Sequence, residues 1–264
     1  MKHILVPIGS RKNASNTLQY AIDLAKEVHA KVYVFRAYKA LSKTGTLINM
    51  NAILERETNL YLRAMIQSID TKNVDVKMIS AKGGTIESIH TVHEELGIDL
   101  IVVGPRSNSI KEEVFLGNTS GSIVKQTTIP VLIAPESYQF KPFKLALTAF
   151  KSGKLEKKGV LVPLQEIQKI FQTKVNLLLV KTPDYKEEDL KIDMSLKAIQ
   201  NTFSTTENMT TFQGVLEHFQ SNNPDLLCVF RRKRGFFQKL WEKNIVMKSE
   251  FHCTIPLLIL SGKQ

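Results

Sequence analysis

The sequence predicts an α/β protein of two doubly wound domains, each with a five-stranded parallel sheet, the second domain being degenerate and shorter. Two observations support this fold class. Residues 99–103 match residues 225–229, and residues 128–133 match residues 254–259, both at an offset of 126. Each copy also alternates apolar segments of strand length with segments of helical periodicity, which indicates parallel strands joined by right-handed crossover helices.

The first copy, residues 1–138, contains the pattern of five strands separated by four helices. Strands are predicted over residues 3–8, 31–37, 74–79, 99–103 and 131–134. A first helix is predicted between the first two strands, and further helices over about residues 51–68, 85–96 and 119–126. In the first helix the residues at helical spacing are Leu18, Ala21, Ile22, Ala25 and Val28. Asn13 or Ser15 is the candidate N-cap of the first helix, and Gly97 is expected to end the third.

The second copy, residues 142–264, begins with a strand predicted over residues 145–150. Residues 174–179 match residues 31–36 at an offset of 143. The offset falls to 126 by the fourth strand, so this copy is 17 residues shorter around its second helix and third strand. Pro163 interrupts its first helical pattern, which predicts a bend or a later helix start.

Composition places the chain among globular proteins that are not embedded in membranes. It has 264 residues, 43% hydrophobic and 23% charged, and no apolar run approaches the roughly 20 residues that span a bilayer. The N-terminus lacks the pattern of a secretory signal, so we expect a cytoplasmic protein with no membrane partner. The two cysteines are predicted to be reduced thiols, Cys228 as a small core residue and Cys253 just before a strand.

The net charge of +11 is concentrated in the second half of the chain. Residues 1–140 hold 16 Lys and Arg against 13 Asp and Glu, whereas residues 141–264 hold 20 against 12. This balance suits either an anionic partner or a solvated lysine-rich surface. His90 and His93 lie three apart on a predicted helix but have no third ligand nearby, so no metal site is predicted.

The loop after the fourth strand of the first copy has features of a phosphate-binding turn. Gly104 ends the strand, and Gly117 precedes a helix that opens with Asn118, Thr119 and Ser120. Glycines let backbone amides approach a phosphate closely, and a helix N-terminus adds positive partial charge. Alternatively, Gly104 permits a tight turn and Gly117 merely precedes an N-cap, and these residues alone leave both interpretations open.

Four features together resemble the universal stress protein family, and its tandem two-domain form is the closest match. They are the opening residues 4–7, the strand 99–104, the spacing from Gly104 to Gly117 and the closing residues 129–133. Residues 232–241 and 251–258 are similar to the degenerate C-terminal domain of such proteins, so the resemblance covers essentially the whole chain. It implies an adenine nucleotide alpha hydrolase-like fold and a stress-response binding or signalling protein.

ATP-binding members of that family carry Gly-x-x-Gly, nine residues, then Gly-Ser or Gly-Thr, with an aspartate near the ribose after the first strand. This chain has Ser107 for the second glycine, Asn118 for the hydroxyl residue and Gly9 for the aspartate. These differences predict weakened or altered binding of ATP or another adenine nucleotide. The resemblance assigns the nucleotide to Pro7, Ile8, Gly9, Ser10, Ala37, Val103, Gly104, Arg106, Ser107, Gly117, Asn118 and Thr119, with Arg106 at the phosphates and the backbone of residues 7–10 beside the base.

The second copy is not expected to hold a nucleotide in this way. At the offset of 126, Gly104 becomes Phe230, Ser107 becomes Lys233 and Gly117 becomes Lys243. A bulky aromatic side chain at the turn leaves no path for the backbone to approach a phosphate.

The sequence offers less support for functions other than nucleotide binding. The chain lacks a Gly-x-Ser-x-Gly elbow, a Walker A motif and the loop of ATP pyrophosphatases, so no catalytic residues and no enzyme activity are predicted. Residues 231–234 are four cations followed by aromatics, and we favour a packed helix face or a protein interface over a nucleic-acid surface. The alternative function is a nucleotide-independent scaffold or protein-interaction module.

The family resemblance also implies an association between domains. The closing strands, residues 131–134 and 257–260, are expected to pair within the chain as a pseudo-dimer, and whole chains could pair further as a homodimer. Such pairing would bury two sheet edges that otherwise invite aggregation.

Overall fold

The computed structural model describes residues 1–9, 14–39, 50–105, 118–155, 157–231 and 255–261. The described residues fall into two compact units, one ending at Phe140 and the other beginning at Lys141. Each unit consists of one parallel sheet with helices packed on it.

The first unit contains five described strands and four described helices. The strands are β1 (His3–Pro7), β2 (Lys31–Tyr38), β3 (Val76–Lys82), β4 (Leu100–Val103) and β5 (Val131–Ile133). The helices are α1 (Ala14–Val28), α2 (Met50–Gln67), α3 (Thr85–Leu96) and α4 (Asn118–Gln126). The strands are parallel in the order β3-β2-β1-β4-β5, so the topological switch point lies between β1 and β4.

The second unit repeats this arrangement. Its described strands are β6 (Leu145–Phe150), β7 (Lys174–Lys181), β8 (Gln200–Glu207), β9 (Leu226–Arg231) and β10 (Leu257–Ser261). The helices are α5 (Val162–Phe171), α6 (Met194–Ile199) and α7 (Thr211–Asn222), with a short 3₁₀ helix over Glu187–Leu190. All neighbouring strands are parallel in the order β8-β7-β6-β9-β10, the same order as in the first unit.

The predicted fold class is confirmed, including the shorter second copy. The difference in length lies between the second and third strands of each unit, where α2 has 18 residues and its counterpart α6 has 6. The later start predicted for α5 is also confirmed, because this helix begins at Val162 and carries Pro163 in its first turn. Among the described helices, none combines the length and the apolar content that crossing a bilayer requires.

The central strands of both units are buried along nearly their whole length. Ile4, Leu5 and Val6 of β1 are fully buried, and every residue of β4 and β9 is buried. Helices on both faces of a parallel sheet explain why these strands are continuously apolar and do not alternate. Cys228 in β9 is a buried free thiol, as predicted, and burial raises its pKa to about 12. Cys253 lies outside the described residues.

In each unit, an aspartate just before the fourth strand binds the start of the first strand. This contact gives a structural reason for the Asp that is repeated at the offset of 126. One carboxylate oxygen of Asp99 accepts hydrogen bonds from the backbone amides of Lys2 and His3, at 2.6 and 3.0 Å. Asp225 accepts two bonds in the same way from the amides at the start of β6, at 2.9 and 3.0 Å. Each aspartate therefore fixes the register of the first strand against the fourth.

Several predicted boundaries differ from the structure by a few residues, and three of the differences have a clear cause. Ser15 lies inside α1, which begins at Ala14, so it is not the N-cap; Asn13 lies outside the described residues. The third strand begins at Val76 and not at residue 74, because the amide of Val74 closes a turn onto the Thr71 carbonyl at 2.8 Å. The fourth strand begins one residue late because Asp99 serves as the clamp described above.

The third helix ends as the sequence predicts. Gly97 follows α3 with φ of 63° and ψ of 57°, in the left-handed region, and its amide donates to the His93 carbonyl at 2.8 Å. Glycine adopts this conformation without the steric cost that a Cβ would bring.

Removal of either aspartate clamp is expected to destabilise its unit. Asp99→Ala and Asp225→Ala each leave two strand-end amides without their charged acceptor, which costs about 1–3 kcal/mol in the free energy of unfolding. Urea unfolding followed by circular dichroism measures the loss. Asp75→Ala is the matched control: its carboxylate makes ion pairs with Lys31 and Lys77 at 3.4 and 3.3 Å on the surface, where solvent screens them, so its removal should cost clearly less stability than removal of either clamp. Equal losses in all three variants would contradict the clamp.

Candidate functional site

The described members of the predicted nucleotide site lie along one edge of the first sheet. Pro7 ends β1, Ala37 is the penultimate residue of β2, and Val103 ends β4. Since β2, β1 and β4 are neighbours and parallel, their carboxyl ends stand side by side. This edge, beside the switch point between β1 and β4, is where doubly wound sheets hold their ligands.

The segment after β1 is held by the strand next to it and by a helix above it. The amide of Ile8 donates to the Phe35 carbonyl at 2.7 Å, which extends the pairing of β1 with β2. The hydroxyl of Tyr61, on α2, donates to the Gly9 carbonyl at 2.9 Å. A Cβ added at Gly9 would meet no atom of the described part of the chain within 4 Å.

Gly104 is needed for close packing and not for an unusual backbone conformation. Its φ lies outside the left-handed region, so the interpretation as a glycine-dependent tight turn is not supported. A Cβ at this position would overlap the hydroxyl of Thr17, a buried residue of α1. Glycine here lets α1 approach the end of β4, and a β-branched threonine has little rotamer freedom to move away.

The first turn of α4 is anchored beside the end of β4. The hydroxyl of Ser120 donates to the Gly104 carbonyl at 3.0 Å, and Ser120 is buried. Thr119 is exposed in the same turn, and the helix begins at Asn118. Backbone amides in the first turn of a helix have no partner inside the helix and favour negative charge. The edge therefore has an anion-attracting group on the side of β4.

Part of the predicted site lies outside the described residues, namely Ser10, Arg106, Ser107 and Gly117. For Asn118 the structure describes the backbone alone. The basic and aromatic residues 232–241 and the two lysines that replace Ser107 and Gly117 in the second copy also lie outside the described part of the chain.

Sequence reasoning missed two residues next to the site. Tyr61 lies on α2, and its hydroxyl donates to the loop after β1. Arg36 is a charged residue in an otherwise apolar part of β2, and its guanidinium lies 4.1 Å from the centre of the Tyr61 ring. The lone charge in an apolar strand was the available signal, but its partner on α2 is 25 residues away in sequence.

In the second unit the corresponding edge is filled by side chains. Phe230 occupies the position of Gly104 and is buried. Its ring packs edge-to-face against Phe150, with ring centres 6.3 Å apart. Edge-to-face aromatic pairs contribute stability in addition to the burial of apolar area. The Phe230–Phe150 pair therefore stabilises this position without a ligand.

Charged side chains also fasten the loop after β6. Counted from the registers of β1 with β4 and of β6 with β9, Lys151 occupies the position that Gly9 has in the first unit. The Lys151 ammonium donates to both oxygens of Asp184 at 2.8 and 2.7 Å, and Lys154 pairs with Glu188 at 2.6 Å. Hydrogen bonding from Lys151 lowers the pKa of the Asp184 carboxyl to about 2.

An open groove of about 620 Å³ lies elsewhere in the second unit, at the carboxyl ends of β7 and β8. Lys181 and Glu207, which line it, pair with each other at 3.6 Å. Its polar groups are therefore partly engaged already, and it lies away from the position of the predicted nucleotide. Within the described residues, no three His, Cys, Asp or Glu side chains converge as a metal site would require.

Comparison with known proteins gives the class of this fold and site. The model of the universal stress protein family matches residues 1–135. Universal stress protein YxiE of Bacillus subtilis is 28% identical over 142 residues, which covers 49% of this chain and 96% of that protein. Universal stress protein MJ0531 of Methanocaldococcus jannaschii is 23% identical over 137 residues, covering 50% of this chain and 81% of the relative.

Structural similarity extends over both units. The crystal structure of a universal stress protein from Archaeoglobus fulgidus superposes with a TM-score of 0.72 at 18% identity, covering 99% of this chain and 98% of that one. A Pseudomonas aeruginosa protein described as functionally unknown superposes with a TM-score of 0.56 at 12% identity, covering 98% and 92%. The chain belongs to the universal stress protein family, and its whole length has the fold of these neighbours.

Substitution of Gly104 is expected to disturb the packing of α1 against β4. Gly104→Ala places a methyl group onto the Thr17 hydroxyl and should lower the free energy of unfolding by about 1–3 kcal/mol. Gly9→Ala is the matched control, since open space surrounds that position, and it should change stability by less than about 0.5 kcal/mol. Thermal unfolding measures the stability of both variants relative to the wild-type chain.

The double variant Thr17→Ala, Gly104→Ala tests the cause of the loss. If the overlap is responsible, the two substitutions are non-additive and the double variant recovers part of the stability. Strict additivity would show that Gly104 is needed for some other reason.

Proposed function

We propose that this protein is a stress-response binding and signalling protein whose first unit binds an adenine nucleotide, such as ATP or AMP, weakly. The proposal rests on one observation. Gly9, Ala37 and Gly104 lie along the same edge of the sheet as the first turn of α4. These are positions that family resemblance assigns to the nucleotide. In the second unit, Phe230 takes the position of Gly104 and packs on Phe150, and Lys151 takes the position of Gly9 and pairs with Asp184.

The phosphates would lie at the α4 end of this edge. Amides of Asn118 and Thr119 at the helix start favour an anion, and the Ser120 bond to Gly104 keeps this turn in position. Gly117, Ser107 and Arg106 belong to the same proposed phosphate contact. The base and ribose would lie along residues 7–10 toward Ala37, against backbone that Tyr61 holds through the Gly9 carbonyl.

Weak binding follows from the substitutions at the site. Gly9 offers no carboxylate to accept hydrogen bonds from ribose hydroxyls, and each such charged bond contributes about 1.5–3 kcal/mol. The backbone amides in the first turn of α4 do not depend on the side chain of Asn118, so the phosphate end is less affected. The proposed ligand is therefore held mainly through its phosphates.

The proposed role is binding without catalysis, in a cytoplasmic protein of the tandem two-domain type. No nucleophile-base pair, Walker A lysine or metal ligand set occurs in the sequence, so nothing supports turnover of the nucleotide. Pairing of the closing strands within the chain and assembly of chains into dimers stay predictions. The alternative is a nucleotide-independent scaffold that uses the basic second half to contact an acidic partner.

Calorimetric titration of the purified protein with ATP and with AMP tests the nucleotide site. We expect binding with a dissociation constant of about 0.1 mM, in the weak range for specific ligands. Gly117→Ala should abolish it, because a Cβ blocks close approach of backbone and phosphate. The matched control is Gly84→Ala, since Gly84 has φ of −74° and an added Cβ there meets only ordinary contacts. Absence of heat at millimolar nucleotide would favour the scaffold.

Restoring a carboxylate after β1 should strengthen the site. Gly9→Asp fits without a clash, because a Cβ at this position meets nothing within 4 Å. Its carboxylate can accept bonds from ribose hydroxyls, so we expect the affinity for AMP to rise by about tenfold. Gly9→Ala, which adds the Cβ alone, serves as the control in the same titration. An affinity that stays constant or falls would argue against a ribose at this position.

A further inference from the structure

The outer strand of the second unit, β8, is more exposed than its counterpart β3 in the first unit. Among the described strands β8 pairs with β7 alone, so it ends the sheet of this unit. Seven of its eight residues are exposed, including Phe203, whereas three of the seven residues of β3 are exposed. An exposed strand edge presents a row of backbone amides and carbonyls to which another strand can bind.

The short helix α6 explains this exposure. In the first unit α2 packs against β3, and its 18 residues extend for about 27 Å, close to the length of an eight-residue strand. The counterpart α6 has 6 residues, about 9 Å, and ends at Ile199, directly before β8 begins at Gln200. It therefore does not lie along β8. The shortening of the second copy leaves open an edge strand that a long helix accompanies in the first.

Alternate residues of β8 direct their backbone groups away from the sheet. The amide of Asn208, just after the strand, donates to the Lys181 carbonyl of β7 at 3.0 Å. In a parallel ladder every second residue bonds to the same neighbour, so the residues between them face the other way. The amides and carbonyls of Phe203, Thr205 and Glu207 therefore point outward, beyond the sheet of this unit.

The sequence of β8 lacks the residues that usually prevent edge strands from pairing. Natural edge strands are often protected by lysine or proline. Lys77 and Lys82 lie on β3, whereas β8 contains no lysine, arginine, proline or glycine. Three of its eight residues are threonine, and its one charged residue is Glu207 at the end. Threonine and phenylalanine favour strands, so this composition suits pairing with another strand.

We propose that β8 pairs with β8 of a second copy of this chain, antiparallel about a two-fold axis beside Ser204. In this register Phe203 lies opposite Thr205 of the second copy, so the residues with outward backbone groups bond to each other. Aromatic and β-branched residues form favourable cross-strand pairs. Glu207 lies opposite Asn201, which sets the two carboxylates at opposite ends of the strand pair. Parallel pairing in register would instead place them side by side.

This contact differs from the association of closing strands that the family resemblance implies, and it is independent of the proposed nucleotide site. A two-fold axis makes the interface self-complementary, because each copy contributes the same strand. Both sheets continue into each other across the axis, and neither outer edge is left open. The partner of the exposed strand is therefore another copy of the chain, and no further protein is required.

Sedimentation equilibrium of the full chain tests the proposal. We expect a monomer–dimer equilibrium with a Kd of about 10 µM, because one strand pair buries less area than a standard interface. Thr205→Pro removes an outward amide but no bond to β7, so it should weaken association by about tenfold or more. Ser80→Pro is the matched control, because Ser80 pairs with Arg36 on β2 as Thr205 pairs with Leu179 on β7. It should leave the Kd unchanged.

A charge exchange at the axis tests the register and keeps the proposal falsifiable if Thr205→Pro does not fold. Ser204→Lys and Ser204→Glu each place like charges directly opposite one another, with Cα atoms about 4.5 Å apart. Each variant alone should weaken association by about tenfold or more. An equimolar mixture of the two should recover association as a heterodimer, and added salt should reduce the recovery. Circular dichroism establishes that each variant is folded.

The outcomes decide between β8 and other surfaces. A wild-type chain that stays monomeric at about 200 µM, well above the expected Kd, would overturn the inference. Dimers that persist unchanged in Thr205→Pro and in both Ser204 variants would place the contact elsewhere, for example at the closing strands, and would overturn it too. Loss of association in Ser80→Pro as large as in Thr205→Pro would also contradict it. Weakened association in the single variants with recovery in the mixture supports the pairing of β8.

Discussion

A single carboxylate, that of Asp99, determines how β1 and β4 stand against each other. It accepts the amides of Lys2 and His3, while its own amide donates to the His3 carbonyl at 2.9 Å. Because β1 and β4 flank the switch point, their register decides where the sheet opens at its other end. The arrangement recurs in the second unit, where Asp225 binds the start of β6. The position of the candidate site thus depends on a contact at the opposite end of the strands.

The two units use this common framework differently at their carboxyl edges. In the first, Gly104 keeps α1 close to β4 and Gly9 leaves space open above β1. In the second, Phe230 and Lys151 take these positions and are engaged by Phe150 and Asp184. The same strand order therefore accommodates glycines at these two positions in one unit and large side chains in the other.

Local sequence patterns predicted the architecture well because continuously apolar strands that alternate with amphipathic helices indicate a parallel sheet covered by helices. They were less informative where contacts join distant segments. The predicted start of β3 was wrong because Val74 closes a turn, and the close packing of Gly104 on Thr17 was not predicted because Thr17, on α1, is far away in sequence. Arg36 and Tyr61 were missed for the same reason. The resemblance to a known family supplied the nucleotide positions; periodicity alone could not.

The aspartate clamp at the amino end of the sheet binds backbone amides, and almost any residue type can provide such an amide. His3 in one unit and Leu145 in the other donate equally well to their aspartates. Few residue identities are therefore required to preserve the topology, and the rest of the sequence of a duplicated copy can diverge. This tolerance accounts for a second unit that keeps its strand order although the family match spans residues 1–135.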